Sequence, residues 1–136
     1  MQNINFETGI KSFTINNDES KVIRFNPSDI GLIHRIEESI KAVEKESKKY
    51  EDVQMDGATE KKLSNFIYKQ IDYIFNSNVS DIVFEGTSPL TTIGGVPYYF
   101  KFIEAVKPII EQEIIKEKQA SEERIKKYTS KYKGSK

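Results

Sequence analysis

One histidine and no cysteine set the first limit on the chemistry open to this chain of 136 residues. Thiolate nucleophiles, thiolate metal sites, iron–sulfur clusters and disulfides all need a side chain that is absent. His34 stands beside Arg35 and close to Glu37 and Glu38, with no second histidine or cysteine to complete a metal site or a proton relay. A capped or solvent-facing helix position is expected for it. The 21 Asp and Glu side chains fall in mixed-charge stretches rather than in the apolar settings that raise a carboxyl pKa for acid/base work. An acidic pair brought together by folding is the catalytic option left open. Gly94-Gly95 lacks the spaced glycines and the following Lys-Ser/Thr of a phosphate-binding loop, so turn formation is its expected task. Asn78-Val79-Ser80 matches a glycosylation acceptor, a match with meaning only in a secreted chain. The expectation is a non-enzymatic protein with no metal and no cofactor.

Electrostatic binding has one local candidate. Lys and Arg total 21 against 21 Asp and Glu, so no global attraction to nucleic acid or anionic membrane is expected. From Arg124 onward, however, Arg124, Lys126, Lys127, Lys131, Lys133 and Lys136 occur with no acidic residue, and Tyr128 and Tyr132 are interleaved. Such a segment can track a phosphate backbone and stack on bases. A solubilising charged tail is the favoured alternative, because lysine-rich ends are common and unspecific. Met1 to Lys11 lacks the basic start and apolar core of a signal peptide, and no apolar run nears the roughly 20 residues that span a bilayer. A soluble intracellular chain is expected.

The elements that must position any site follow from periodicity. Ile4 and Phe6, Phe13 and Ile15, and Ile23 and Phe25 are each separated by one polar residue, the period of half-buried strands. Asn16-Asn17-Asp18-Glu19-Ser20 between the last two runs predicts a β-hairpin over about residues 12–25. Asn26-Pro27-Ser28-Asp29 reads as an N-cap with proline in the first turn, so a helix is expected from Pro27, with Ile30, Ile33, Ile36, Ile40 and Val43 as its apolar stripe. Asp56-Gly57 ends that region. Leu63, Phe66, Ile67, Ile71, Ile74 and Phe75 then define a second helix over about 58–76, stopped by Asn76-Ser77-Asn78. Tyr68 and Tyr73 widen its apolar surface toward a second neighbour or a partner. Ile82, Val83 and Phe84 fit either a short helical turn or a strand.

Residues 85–97, with three glycines and two prolines, predict a loop. A last helix starts near Tyr98 and carries Phe102, Ile103, Val106, Ile109, Ile110 and Ile114, with Pro108 expected to bend it or to mark a new first turn. The predicted fold class is α+β, mainly α: one domain over residues 1–115, with the hairpin packed on about three helices. A charged tail over 116–136, helical or disordered, projects from it. Tyr98, Tyr99, Phe100, Phe102, Ile103 and Val106 bring more apolar area than so small a domain is expected to cover, which predicts self-association through this helix start. The alternative is that Pro108 bends the helix so that the whole aromatic group turns inward and leaves a monomer.

The order of these pieces resembles a known family. The hairpin leads through Arg24-Phe25-Asn26-Pro27-Ser28-Asp29 into a long charged helix, and the second helix closes on Asp72-Tyr73-Ile74-Phe75. Val83-Phe84-Glu85-Gly86-Thr87-Ser88-Pro89-Leu90, a glycine turn, and Phe102-Ile103-Glu104-Ala105-Val106-Lys107-Pro108-Ile109-Ile110 then follow. Over about residues 12–115 this looks like the small tail assembly chaperones encoded by long-tailed phages and prophages of Gram-positive bacteria. The most specific part lies between Val83 and Ala105. The family pattern commonly places glycine directly after Val-Phe, where this chain has Glu85-Gly86. The resemblance implies a non-enzymatic protein of the host cytoplasm that coats the tape measure protein and recruits tail tube subunits, in several copies, with short and frameshifted longer forms. It implies partner-binding at the loop and its flanking aromatics: Phe84, Pro89, Leu90, Tyr98, Tyr99, Phe100, Phe102 and Ile103. A nucleic-acid-binding accessory protein acting through the basic tail, and a small phage protein directed at a host factor, are the alternatives.

Overall fold

The structure, a computed structural model, describes residues 1–134, and their side chains as far as Lys131. Strands β1 (Lys11–Ile15) and β2 (Asp18–Phe25) form the expected antiparallel hairpin, with Phe13 opposite Ile23 and Lys11 opposite Phe25. Asn16 and Asn17 make its two-residue turn, both at positive φ (51° and 62°), the conformation that asparagine tolerates and that matches strand twist. Helices α1 (Gly31–Lys48), α2 (Gly57–Phe75) and the five-residue α3 (Ser80–Phe84) follow. A minimal hairpin, β3 (Thr92–Ile93) and β4 (Val96–Pro97), precedes the 37-residue α4 (Tyr98–Gly134). The fold is thus α+β and mainly helical.

Several boundaries differ from the sequence reading, each for a local reason. The first run, Ile4 and Phe6, forms no strand here; both residues are exposed. Helix α1 begins at Gly31, not Pro27, because Asn26 and Asp29 close two turns on themselves. Ser28 N–H donates to Asn26 Oδ1 (2.9 Å) and Gly31 N–H to Asp29 Oδ1 (2.9 Å). Leu32, Ile36, Ser39 and Val43 of the helix are buried, while Ile30, which precedes it, is 77 % exposed. Asp56 is the N-cap of α2, its carboxylate accepting from Thr59 N–H (2.8 Å), rather than the end of the preceding region. At the other end Asn76 sits in the left-handed region (φ 51°) and closes α2 through the carbonyls of Asp72 and Tyr73. Residues 82–84, left open between turn and strand, are helical.

The core gathers Ile23 and Phe25 from β2, Leu32, Ile36 and Val43 from α1, Leu63, Ile67, Ile71, Ile74 and Phe75 from α2, and Ile103, Val106 and Ile110 from α4. A chain of rings links the layers. Phe13 stacks on Phe25 (4.6 Å), Phe25 meets the edge of Phe75 (5.0 Å), and Phe75 leads through Phe102 (5.7 Å) to Phe84 (6.4 Å). Pro108 lies inside an unbroken α4, neither starting a new helix nor ending one. Beyond Ile115 every residue with a described side chain is exposed. Among the described residues no helix is long and apolar enough to cross a membrane.

Candidate functional site

The region from Phe84 to Tyr99 is fixed by hydrogen bonds to otherwise orphaned backbone groups. Asp72, near the end of α2, accepts from Val79 N–H (2.9 Å), Ser80 N–H (2.8 Å) and Ser80 Oγ (3.1 Å), holding α3 by its first turn. After α3, Glu85 (φ 45°) and Gly86 (φ 81°) are both left-handed. The turn takes this conformation at both positions, which glycine adopts without strain and glutamate does not. Here Glu85 ion-pairs with Lys21 of β2, which ties the turn to the hairpin and lifts the lysine's pKa. The loop then seals the start of α4. The Thr91 carbonyl accepts from Tyr98 N–H (2.7 Å) and the Pro89 carbonyl from Tyr99 N–H (3.1 Å), so two of the helix's free donors are satisfied by the segment that delivers it. Glu60 Oε1 anchors the loop through Ser88 Oγ (2.7 Å) while accepting from Ser64 Oγ (2.6 Å).

This scaffold divides the aromatic start of α4 into two rows. Ile103, Val106 and Ile110 are buried, and Tyr99, on the same side, packs against the core where burial pushes its phenol pKa up. Tyr98, Phe102, Ala105 and Ile109, spaced by four, three and four residues, form the second row and face the hairpin. Two adjoining depressions run along that row, of about 220 and 150 Å³, sharing Ile15, Asn16, Phe102 and Ala105 in their walls. Phe13, Ile15, Ile23 and Phe25 line the hairpin side, and Val83 and Phe84 close one end. The lining is mainly apolar, Ala105 is exposed and Ile109 is 39 % exposed at the rim. The result is an open groove between β1 and α4.

Of the residues expected to bind partners, Phe84, Tyr98 and Phe102 meet in this groove. Pro89 and Ile103 are buried and serve the core, Leu90 and Tyr99 are half-buried against it, and Phe100 is half-buried in neither row. Of the apolar group at the start of α4, Ile103 and Val106 lie in the core, and Tyr98, Tyr99, Phe100 and Phe102 are half-buried. Tyr68 packs on Phe84 (5.7 Å), and Tyr73 donates its hydroxyl to Glu38 (2.9 Å), so both aromatics that widened α2 find neighbours within the fold. Sequence reasoning missed Phe13, Ile15, Ala105 and Ile109 as groove residues. Periodicity places each on its own element but says nothing of which elements meet.

The charged candidates stand apart. Arg124, Lys126, Lys127 and Lys131 are exposed on the far half of α4, directly after Glu122 and Glu123; the side chain of Lys133, and Lys136, lie outside the described residues. His34 is exposed on α1. Among the described residues no cluster of three or more His, Cys, Asp or Glu is placed to hold a metal ion. Comparison of the chain with protein-family models, with curated proteins and with solved structures finds no match.

Proposed function

We propose that this chain is a non-enzymatic tail assembly chaperone of a long-tailed phage or prophage, binding the tape measure protein and tail tube subunits in the host cytoplasm while the tail is built. One observation carries the reading: the stretch that most resembles that family, Val83 to Ala105, supplies one wall of the open apolar groove through Val83, Phe84, Tyr98, Phe102 and Ala105. A long, repetitive helical client is held best by a shallow groove that accepts the i, i+3, i+4 apolar face of many similar segments, each weakly. The row on α4 and the facing Phe13 and Ile15 provide such a surface. A charged exterior, 31 % Asp, Glu, Lys and Arg, keeps the chain dissolved while apolar surface remains open.

The test is co-expression with the tape measure protein of the same phage or prophage. The tape measure should move from the insoluble to the soluble fraction and co-purify with this chain. A tape measure equally soluble alone, with no complex formed, contradicts the reading.

A further inference from the structure

The segment ahead of β1 has the pattern of a strand and no strand beside it. Ile4 and Phe6 alternate with Asn3, Asn5 and Glu7, yet residues 1–10 are in no sheet, and Ile4 and Phe6 are 84 % and 76 % exposed. The hairpin meanwhile has unequal edges. β2 is flanked by α3 and tied to it by the Lys21–Glu85 pair, whereas the outer edge of β1 has no strand partner among the described residues. An edge of this kind offers a row of unpaired backbone donors and acceptors to any extended chain.

We infer that residues 3–7 of one copy add as a strand to the open edge of β1 in a second copy. Three observations favour a second copy over other occupants. The lengths are compatible: with Ile4 opposite Ile15 and Phe6 opposite Phe13 in an antiparallel register, residues 4–7 run along residues 12–15, about 14 Å of edge. The side-chain pattern matches too, since a strand on this edge can set Ile4 and Phe6 on the face that carries Phe13 and Ile15, leaving Asn3, Asn5 and Glu7 toward water. Finally, the segment is steered away from its own β1. Asn26 Nδ2 donates to the Thr8 carbonyl (2.8 Å), and Gly9, at φ 75°, lies against the Asn26 side chain, so the chain ahead of Thr8 is pinned at the opposite end of the hairpin from the turn. A strand that its own edge cannot reach and an edge that lacks a strand, carried on one chain, make a self-complementary pair. This inference concerns the chain alone and does not rest on the client proposed above.

The absence of cysteine makes the test clean. Light scattering across a dilution series should show mass rising above the monomer as concentration increases, and hydrogen exchange at residues 4–7 should slow over the same range. The double variant Ile4→Asp/Phe6→Asp, altered at exposed positions, should keep the wild-type melting temperature and show at least tenfold weaker association. Mixing chains carrying Asn5→Cys with chains carrying Thr14→Cys should give a disulfide-linked pair under mild oxidation. A wild type that stays monomeric, self-association unchanged in the double variant, or no cross-link between the two single variants, overturns the inference.

Discussion

Glu60 joins α2 to the loop that leads into α4. Its Oε1 takes hydroxyl hydrogens from Ser64 within α2 and from Ser88 in the loop, and these bonds keep the carboxyl below the usual glutamate pKa of 4.5. A carboxyl depressed in the folded state adds stability that is complete above its unfolded pKa and fades as pH falls through the folded value. Glu60→Gln should therefore cost about 0.5–1 kcal/mol at neutral pH, and the gap to wild type should close as pH drops below about 4.5. Urea melts of both proteins at pH 7 and pH 3 check the sign; a gap that widens in acid contradicts this assignment. Residue-scale capping was partly legible in the sequence. Asp56, Asn76 and Asn16-Asn17 announce their turns by type, because short polar side chains serve backbone groups close in sequence. Asp72 gives no such signal, since the amides it caps lie seven and eight residues ahead.

At the scale of the element, α4 is the unusual part. At 37 residues it is about 55 Å long, and beyond Ile115 its described side chains are all exposed. Pro108 interrupts the pattern in sequence but not the helix, and its surroundings give the reason. Pro108 and Glu104 are both exposed, so the Glu104 carbonyl that loses its helical donor turns to water instead of lying unpaired in the core. Replacing Pro108 with alanine restores that hydrogen bond and the better helix former, and should raise stability by about 1–3 kcal/mol in a thermal or urea melt. The β1–β2 hairpin and the long helices were readable from periodicity, since strand and helix leave different spacings; the alternation of Ile4 and Phe6 made no strand, and β3 and β4 lie in a stretch expected to be loop. Starts were less so: Asn26 and Pro27 look like a cap, but the Asn26 side chain serves Ser28 and the Thr8 carbonyl, and the helix waits for Gly31.

For the whole molecule, the sequence told which residues are apolar but not how the layers would share them. Ile103 and Pro89 looked as available to a partner as Phe102, and packing took both inward. The groove arises where the hairpin crosses α4, a pairing of residues about 90 apart in the chain that no local pattern encodes. Ion pairing reinforces that crossing, with Lys11 of β1 bonded to Glu113 of α4 and holding its carboxyl below the usual range. If the groove is the client surface, a charge on its wall must block an apolar helix while leaving the core alone, and the exposed Ala105 offers that position. The decisive measurement is calorimetric titration of a soluble tape measure segment into wild type and into Ala105→Glu, with melting curves for both. Binding at least tenfold weaker in the variant, a loss of about 1.4 kcal/mol, with the melting temperature unchanged, is the expected result; equal affinity in the two proteins would contradict the groove as the binding surface.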